Sequence, residues 1–315
     1  MISLESIASN KIALGSAGFS GDGGGYGFGD VSDTEIEKIF EYSLENNIAL
    51  IDTAPIYGFG EAEKKIGELI GAQRERFFII SKGGVSWHSS KRVNMTNCPK
   101  ELEKMLLASL KRLKTDYLDG HMIHWPDPNV DIRFSYEFLA KMKEKQIIRH
   151  IGLSNTNQNE IQLAEQVAPV EMTQGEFNLF NDQSFNEINA SLNTAWGTLD
   201  KGIISGRVKE GRSYSKSDCR GWAPWWKKSN KDKKIKLMKK VFQILAENEL
   251  SFWDLVFHHQ NKHSNNLTHL YGVKTCDDLK QIVTQQKSSK EISEEVINRI
   301  ITEFKNEGFS NYPNL

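Results

Sequence analysis

The chain has 315 residues, 38% of them hydrophobic and 26% charged, so it is long and apolar enough to bury a sizeable core. With 40 Lys and Arg against 41 Asp and Glu, the formal net charge is −1, and no global basic field points to nucleic acid or an acidic membrane surface. Three cysteines (Cys98, Cys219, Cys276) are widely spaced and form no CxxC pair, which argues for a reducing compartment and against a zinc site.

The N-terminal stretch "MISLESIASNKIALGS" has no apolar run long enough for a signal peptide, and no span reaches membrane length. A soluble cytoplasmic protein without a membrane partner is expected. The first strand candidate is "KIAL". The glycine run "GFSGDGGGYGFGD" follows it, but no register completes G-x-G-x-x-G, because the third glycine position falls on Tyr26, Phe28 or Asp30. A mobile loop over a barrel mouth is the expected use of this run. "SDTEIEKIFEYSLENN" then opens a helix with a serine cap.

Further strands are expected at "IALID", "FFIIS", "YLDGHMI", "RHIGLS", "VEMTQ", "LNTAW" and "HLYGV". Between them fall helix-period segments: "AEKKIGELIGA", "PKELEKMLLASLKRLK", "FSYEFLAKMKEKQ", "NQNEIQLAEQV" and "SFNEINAS". The last crossover, from Gly202 to Asn266, is the longest. It carries a polar, tryptophan-bearing loop after the seventh strand, then the helix candidates "DKKIKLMKKVFQILAEN" and "FWDLVFHHQNK". Its lysine run "WWKKSNKDKKIKLMKK" reads as a solvated helix face. Strands alternating with helices predict parallel βα units. At this length they predict one (β/α)8 TIM barrel spanning 1–315, an α/β fold of a single domain.

In such a barrel, polar residues at the C-terminal ends of strands face the active site. Asp52 ends the second strand and Tyr57 follows in its loop; Lys82 ends the third strand and His124 the fourth. Reduction of a carbonyl by hydride leaves an alkoxide that needs a proton. A tyrosine is a weak acid at its ordinary pKa of about 10. A nearby ammonium lowers that value, and a carboxylate paired to the ammonium fixes it in place. A neutral histidine can orient the carbonyl by hydrogen bonding. Asp52 is therefore expected to hold Lys82, Lys82 to tune Tyr57, and His124 to aim the substrate.

Several long motifs in this order resemble the aldo-keto reductase family, over nearly the whole chain. "IDTAPIYGFGEAEKKIGELI" resembles its DTA-x-x-YG-x-x-E-x-x-x-G signature, and "SKGG" its lysine strand. "SLKRLKTDYLDGHMIHWPD" and "IIRHIGLSN" resemble its histidine and IG-x-SN segments. The resemblance implies the same barrel, a nicotinamide cofactor bound without a Rossmann domain, and Tyr57 as general acid/base supported by Asp52, Lys82 and His124. It implies that Ser154, Asn155 and Gln174 bind the nicotinamide carboxamide. It also implies that Trp196 stacks on the ring, and that Leu199 and Lys201 belong to the pyrophosphate loop.

Two positions depart from the family. Thr198 takes the place of a frequent proline, and Asp278 falls where many members have an arginine for the 2′-phosphate of NADP. A carboxylate at 278 would repel that phosphate and suit ribose hydroxyls instead, with Lys274 as a compensating cation. The family leans the expectation towards NADP(H), with NAD(H) as the other choice.

Trp87, Trp125 and the cluster "RGWAPWWKK" (Trp222, Trp225, Trp226) are expected near the substrate face, where aromatic platforms suit sugar rings or flat aldehydes. The reading is an enzyme interconverting an aldehyde, ketone or sugar carbonyl with its alcohol. A redox-linked sugar epimerase or dehydratase is one alternative, and a cofactor-binding regulatory subunit with little turnover is another. The intact set Asp52, Tyr57, Lys82 and His124 argues against the last. No surface stripe announces an interface, so a monomer is the default, and no metal is assigned to the site.

Overall fold

The computed structural model of the chain describes residues 2–21, 25–90, 92–182, 190–263, 267–309, 313 and 315. Among them lie the strands β1 (Ile12–Gly15), β2 (Leu50–Asp52), β3 (Phe78–Gly83), β4 (Val85–Trp87), β5 (Val93–Met95), β6 (Leu118–Ile123), β7 (Ile148–Ser154), β8 (Met172–Glu176), β9 (Leu192–Trp196) and β10 (Leu267–Tyr271). All but β4 and β5 close into a parallel barrel in the order β1-β10-β9-β8-β7-β6-β3-β2, with β1 pairing to β2. Each barrel strand overlaps one strand expected from the sequence. The antiparallel pair β4–β5, in which Trp87 faces Val93, is an addition that the sequence reading does not contain.

The helices are α1 (Leu4–Ala8), α2 (Asp33–Glu45), α3 (Glu61–Ile70), α4 (Pro99–Leu113), α5 (Ile132–Glu144), α6 (Gln158–Glu165), α7 (Pro224–Lys227), α8 (Lys231–Glu247), α9 (Phe252–Lys262), α10 (Cys276–Ser288) and α11 (Glu294–Asn306). Their starts follow local chemistry. Ser32 caps α2 as expected, and Asn157 with Glu160 forms a capping box on α6, as Ser251 does with Asp254 on α9. Buried residues at helical spacing, such as Ile132, Ser135, Leu139 and Met142 on α5, turn one face to the barrel. Of the expected helix "SFNEINAS", residues 184–189 lie outside the described residues. No helix among the described residues is long and apolar enough to cross a membrane.

What positions the site is a change of polarity along the inner face of the barrel. Side chains two apart on a strand share a face. At the lower level Leu50, Ile80, Met122, Met172 and Leu192 form an apolar plug, floored by Leu4 and Ile7 of α1. Two residues further along the same strands stand Asp52, Lys82, His124, Gln174 and Thr194, all buried. The strands are staggered, so that Asp52 stands opposite Ile80, Lys82 opposite Met122, and Gln174 opposite both Ser154 and Thr194. The long side chains of Lys82 and Gln174 reach Asp52 across the stagger. Apolar side chains exclude water from below, and the polar ones meet at the C-terminal mouth.

Candidate active site

The centre of the polar layer is an ion pair sealed from solvent. Lys82 is 0% exposed and Asp52 2%. The Lys82 ammonium donates to both Asp52 oxygens, at 2.7 Å to Oδ1 and 2.6 Å to Oδ2, and to the Thr53 carbonyl at 3.2 Å. Gln174 crosses the barrel and donates from Nε2 to Asp52 Oδ2 at 2.8 Å and to Thr194 Oγ1 at 3.1 Å. Three N–H groups of the lysine and two of the Gln174 amide thus meet matching acceptors, as a buried charge requires. Burial pulls Lys82 below its ordinary pKa, against the opposing pull of Asp52.

Tyr57 begins a tight turn, Tyr57–Gly60, that leaves β2 and leads into α3. Gly58 has φ 63°, and a Cβ there would stand 2.2 Å from the Ser20 carbonyl oxygen. Only glycine lets this turn press against the segment after β1 while keeping the tyrosine at the mouth. The Lys82 ammonium is 5.7 Å from the Tyr57 ring centre, and the His124 ring meets Tyr57 edge-on at 6.0 Å and 87°. The four residues expected from the sequence are therefore brought together.

Their electrostatics differ from the expectation in one respect. Burial, and then the Asp52 carboxylate, push the Tyr57 phenol above its ordinary value rather than below it. Burial is the larger cause, because it takes the phenolate away from water, and the charge of the neighbouring Asp52 carboxylate adds to it. For His124, burial and then the Lys82 charge hold the imidazole well below 6.5, which keeps it neutral.

Beside this centre, Asn155 links three parts of the mouth. Its Nδ2 donates to the His124 carbonyl and to Ser154 Oγ, each at 2.9 Å, and its Oδ1 accepts from Trp196 Nε1 at 2.9 Å. Asn155 has φ 55°, a left-handed conformation that asparagine tolerates better than most residues. Lys201 donates to Glu176 and, at 3.3 Å, to Asp200, and lies 5.3 Å from the Trp196 ring centre. Asp200, Lys201 and Gly202 all have positive φ, at 41°, 55° and 99°, so this turn is held open by its packing. Leu199 packs beneath it, and Thr198, at the proline position, ties the turn to β10 through the Leu270 carbonyl at 3.2 Å.

At the outer rim, Asp278 is not a lone carboxylate. Arg207 holds its Oδ1 at 2.5 Å and the Lys274 backbone N–H reaches Oδ2 at 3.2 Å. The Lys274 ammonium donates to the Phe28 carbonyl, and Arg220 pairs with Asp218 at 2.6 Å while reaching the Lys201 carbonyl at 2.8 Å. Arg207, Arg212, Arg220 and Lys274 against Asp218 and Asp278 leave the rim net positive, 4 − 2 = +2. The Asp278 carboxylate is thus paired with Arg207, a residue distant in sequence. Arg207 carries no motif of its own, so the sequence offers no signal for this contact.

The aromatic expectation divides. Trp87, on β4, packs on Phe59 at 5.3 Å, and Tyr26 meets Trp222 at 5.4 Å. Tyr26, Trp87 and Tyr57 border one apolar cluster with Ala54, Ile56 and Val85. Trp125 is 40% exposed and joins no ring contact among the described residues. Trp226 is buried and packs on Tyr214, so it anchors the long loop, whereas Trp225 lies 5.7 Å from the Lys201 ammonium. The described end of the glycine-rich loop is latched to that same long loop, through a Phe28–Asp218 bridge and the Cys219 N–H to the Gly27 carbonyl at 2.9 Å.

Comparison with known proteins agrees with this architecture. A family model described as the aldo/keto reductase family matches residues 11–302. The aldo-keto reductase YhdN of Bacillus subtilis is 31% identical over 230 residues, covering 70% of this chain and 68% of that protein. The NADH-specific methylglyoxal reductase of Escherichia coli is 24% identical over 255 residues, covering 75% and 78%. Among solved structures, a glycerol dehydrogenase from Gluconobacter oxydans superimposes with a TM-score of 0.76 at 23% identity, over 97% of this chain and 94% of that one.

Proposed function

The chain belongs to the aldo/keto reductase family and is a nicotinamide-dependent oxidoreductase, and from that premise we propose that it reduces a small aldehyde, ketone or sugar carbonyl with Tyr57 as the proton donor. The observation that carries this reading is the buried Asp52–Lys82 pair with the Tyr57 ring 5.7 Å from the ammonium and His124 edge-on to it. The polar groups around Trp196 suit a nicotinamide dinucleotide: an amide and a hydroxyl at Asn155 and Ser154, an indole face, a left-handed turn and a cationic rim. When bound, the nicotinamide supplies the hydride. Tyr57 gives its phenolic proton to the carbonyl oxygen as negative charge develops there, and His124 orients that oxygen by donating from a neutral ring. The plug of Leu50, Ile80 and Met122 keeps water from reaching the pair from below. Initial rates of NADPH and NADH oxidation with a panel of small carbonyl compounds test the reading; no hydride transfer at high enzyme concentration overturns it.

The protonation states predict the pH profile. His124 is held well below 6.5 and Tyr57 above its ordinary value, so both keep the form needed for reduction across neutral pH. The kcat/KM for reduction should show no step near 6.5, while alcohol oxidation, which needs the phenolate, should rise with pH. An inflection near 6.5 that vanishes in His124→Asn would contradict the neutral-donor role.

The substrate is expected to be flat or apolar on one side, since Trp87, Phe59 and Tyr26 border one apolar cluster with Tyr57, and Trp222 packs on Tyr26. For the cofactor, the net-positive rim favours NADP(H). Loss of one charge-assisted contact costs about 1.5–3 kcal/mol, so Arg207→Ala should weaken NADPH by roughly ten-fold or more and leave NADH nearly unchanged. Tryptophan-fluorescence titration measures both; equal effects on the two cofactors would remove Arg207 from phosphate recognition.

A further inference from the structure

Away from every residue used above, two imidazoles and a carboxylate converge. His259 and His263 stand four apart in "HHQNKH", at the end of α9 and one helical turn from each other, so their rings share a face. Asp182 comes from the segment after β8. Its Oδ2 is 3.5 Å from His259 Nε2 and 3.9 Å from His263 Nε2, and the three donor atoms lie within 4.8 Å of one another. Phe177 fixes both rings, stacking on His259 at 4.8 Å and 18° and meeting His263 edge-on at 4.8 Å. His259 is 2% exposed, and its Nε2 faces the Asp182 carboxylate without closing to an ordinary hydrogen-bond length.

We propose that Asp182, His259 and His263 bind a divalent transition-metal ion such as zinc, joining α9 to the segment after β8. A direct imidazole–carboxylate hydrogen bond would close to about 2.7–3.0 Å; these separations are wider. They are nearer to the edge of a tetrahedron, roughly 3.3 Å for metal–ligand bonds of about 2.0–2.1 Å. An ion at this place would draw the three donors together from separations that lie within 4.8 Å here. Two neutral nitrogens and one carboxylate oxygen suit zinc and its neighbours rather than magnesium or calcium, and three protein ligands leave a fourth position for water. The stack on Phe177 orients the rings before the ion arrives, the part usually taken by groups outside the ligand set. Cysteine spacing gives no sign of such a site, because its donors are histidines on one helix and a carboxylate some eighty residues earlier (259 − 182 = 77).

The test uses the full chain stripped with a chelator and dialysed. Calorimetric titration with Zn2+ should show one equivalent bound, and at a hundred times the Kd the Tm should rise by roughly 4 °C. Co2+ added in its place should give the visible ligand-field bands of a four-coordinate site. His263→Gln, at the more accessible ligand, should abolish stoichiometric binding and the cobalt colour. A cobalt-treated wild-type protein without those bands overturns the proposal and needs no variant to fold. Zinc binding of unchanged affinity in His263→Gln overturns it as well, since that would be an adventitious ion only. None of these readouts depends on hydride transfer, so failure here leaves the reductase reading intact, and the reverse holds too.

Discussion

Tyr57→Phe is expected to lower kcat for carbonyl reduction by about 10²- to 10⁴-fold while NADPH still quenches tryptophan fluorescence with its wild-type affinity. The substitution removes one hydroxyl and keeps the ring. That ring is what meets His124 at 6.0 Å and lies 5.7 Å from the Lys82 ammonium, and its place is set by the Gly58 turn rather than by the phenolic oxygen. The apolar border shared with Ala54, Ile56 and Val85 is likewise unaffected. A loss confined to kcat would therefore report the missing proton, and not a displaced loop. The neutral His124 beside it is the group best placed to substitute as donor, but burial and the Lys82 charge disfavour the imidazolium that would be the stronger acid. An unchanged kcat would sink the assignment of Tyr57; a parallel loss of cofactor affinity would mean that the turn had moved.

The barrel and its polar layer are legible in the sequence for one reason. Four of the barrel strands carry an apolar residue followed two positions later, within the strand or just past its end, by a polar one: Leu50 and Asp52, Ile80 and Lys82, Met122 and His124, Met172 and Gln174. A period of two places both on one face, so a strand assignment at once becomes a statement about where the polar groups meet. What escapes is what depends on contacts between distant segments. The three-residue strands β4 and β5 are too short to show alternation, yet they carry Trp87 to Phe59. Helix α11 has a clear apolar stripe, Val296, Ile297, Ile300 and Phe304; it lies beyond the eighth strand, where counting βα units gives no reason to look for it. The sign of the Tyr57 shift escapes because it turns first on how deeply the fold buries the phenol, and then on the nearness of the Asp52 carboxylate. Asp278 reads as a repulsive charge until Arg207, 71 residues earlier, is seen to hold it.

Breaking the Asp52–Lys82 pair should cost more stability than any surface change, and removing both members should cost less than removing either. Asp52→Leu leaves the Lys82 ammonium, fully buried, with only the Thr53 carbonyl at 3.2 Å, and deprives the Gln174 amide of its carboxylate acceptor. Lys82→Met leaves a buried carboxylate with the Gln174 N–H as its remaining donor. Each uncompensated charge is expected to destabilise the protein by about 3–5 kcal/mol, whereas an apolar pair of similar volume can be nearly neutral. The double variant Asp52→Leu/Lys82→Met should accordingly be more stable than the sum of the singles by at least about 3–5 kcal/mol, measured by denaturant unfolding. Turnover should not follow stability. If the pair sets the field around the Tyr57 hydroxyl, the double variant stays low in kcat even where its unfolding midpoint recovers. A double variant that regained both stability and turnover would make the ion pair a scaffold for the turn at Tyr57, with the proton chemistry resting on Tyr57 and His124 alone.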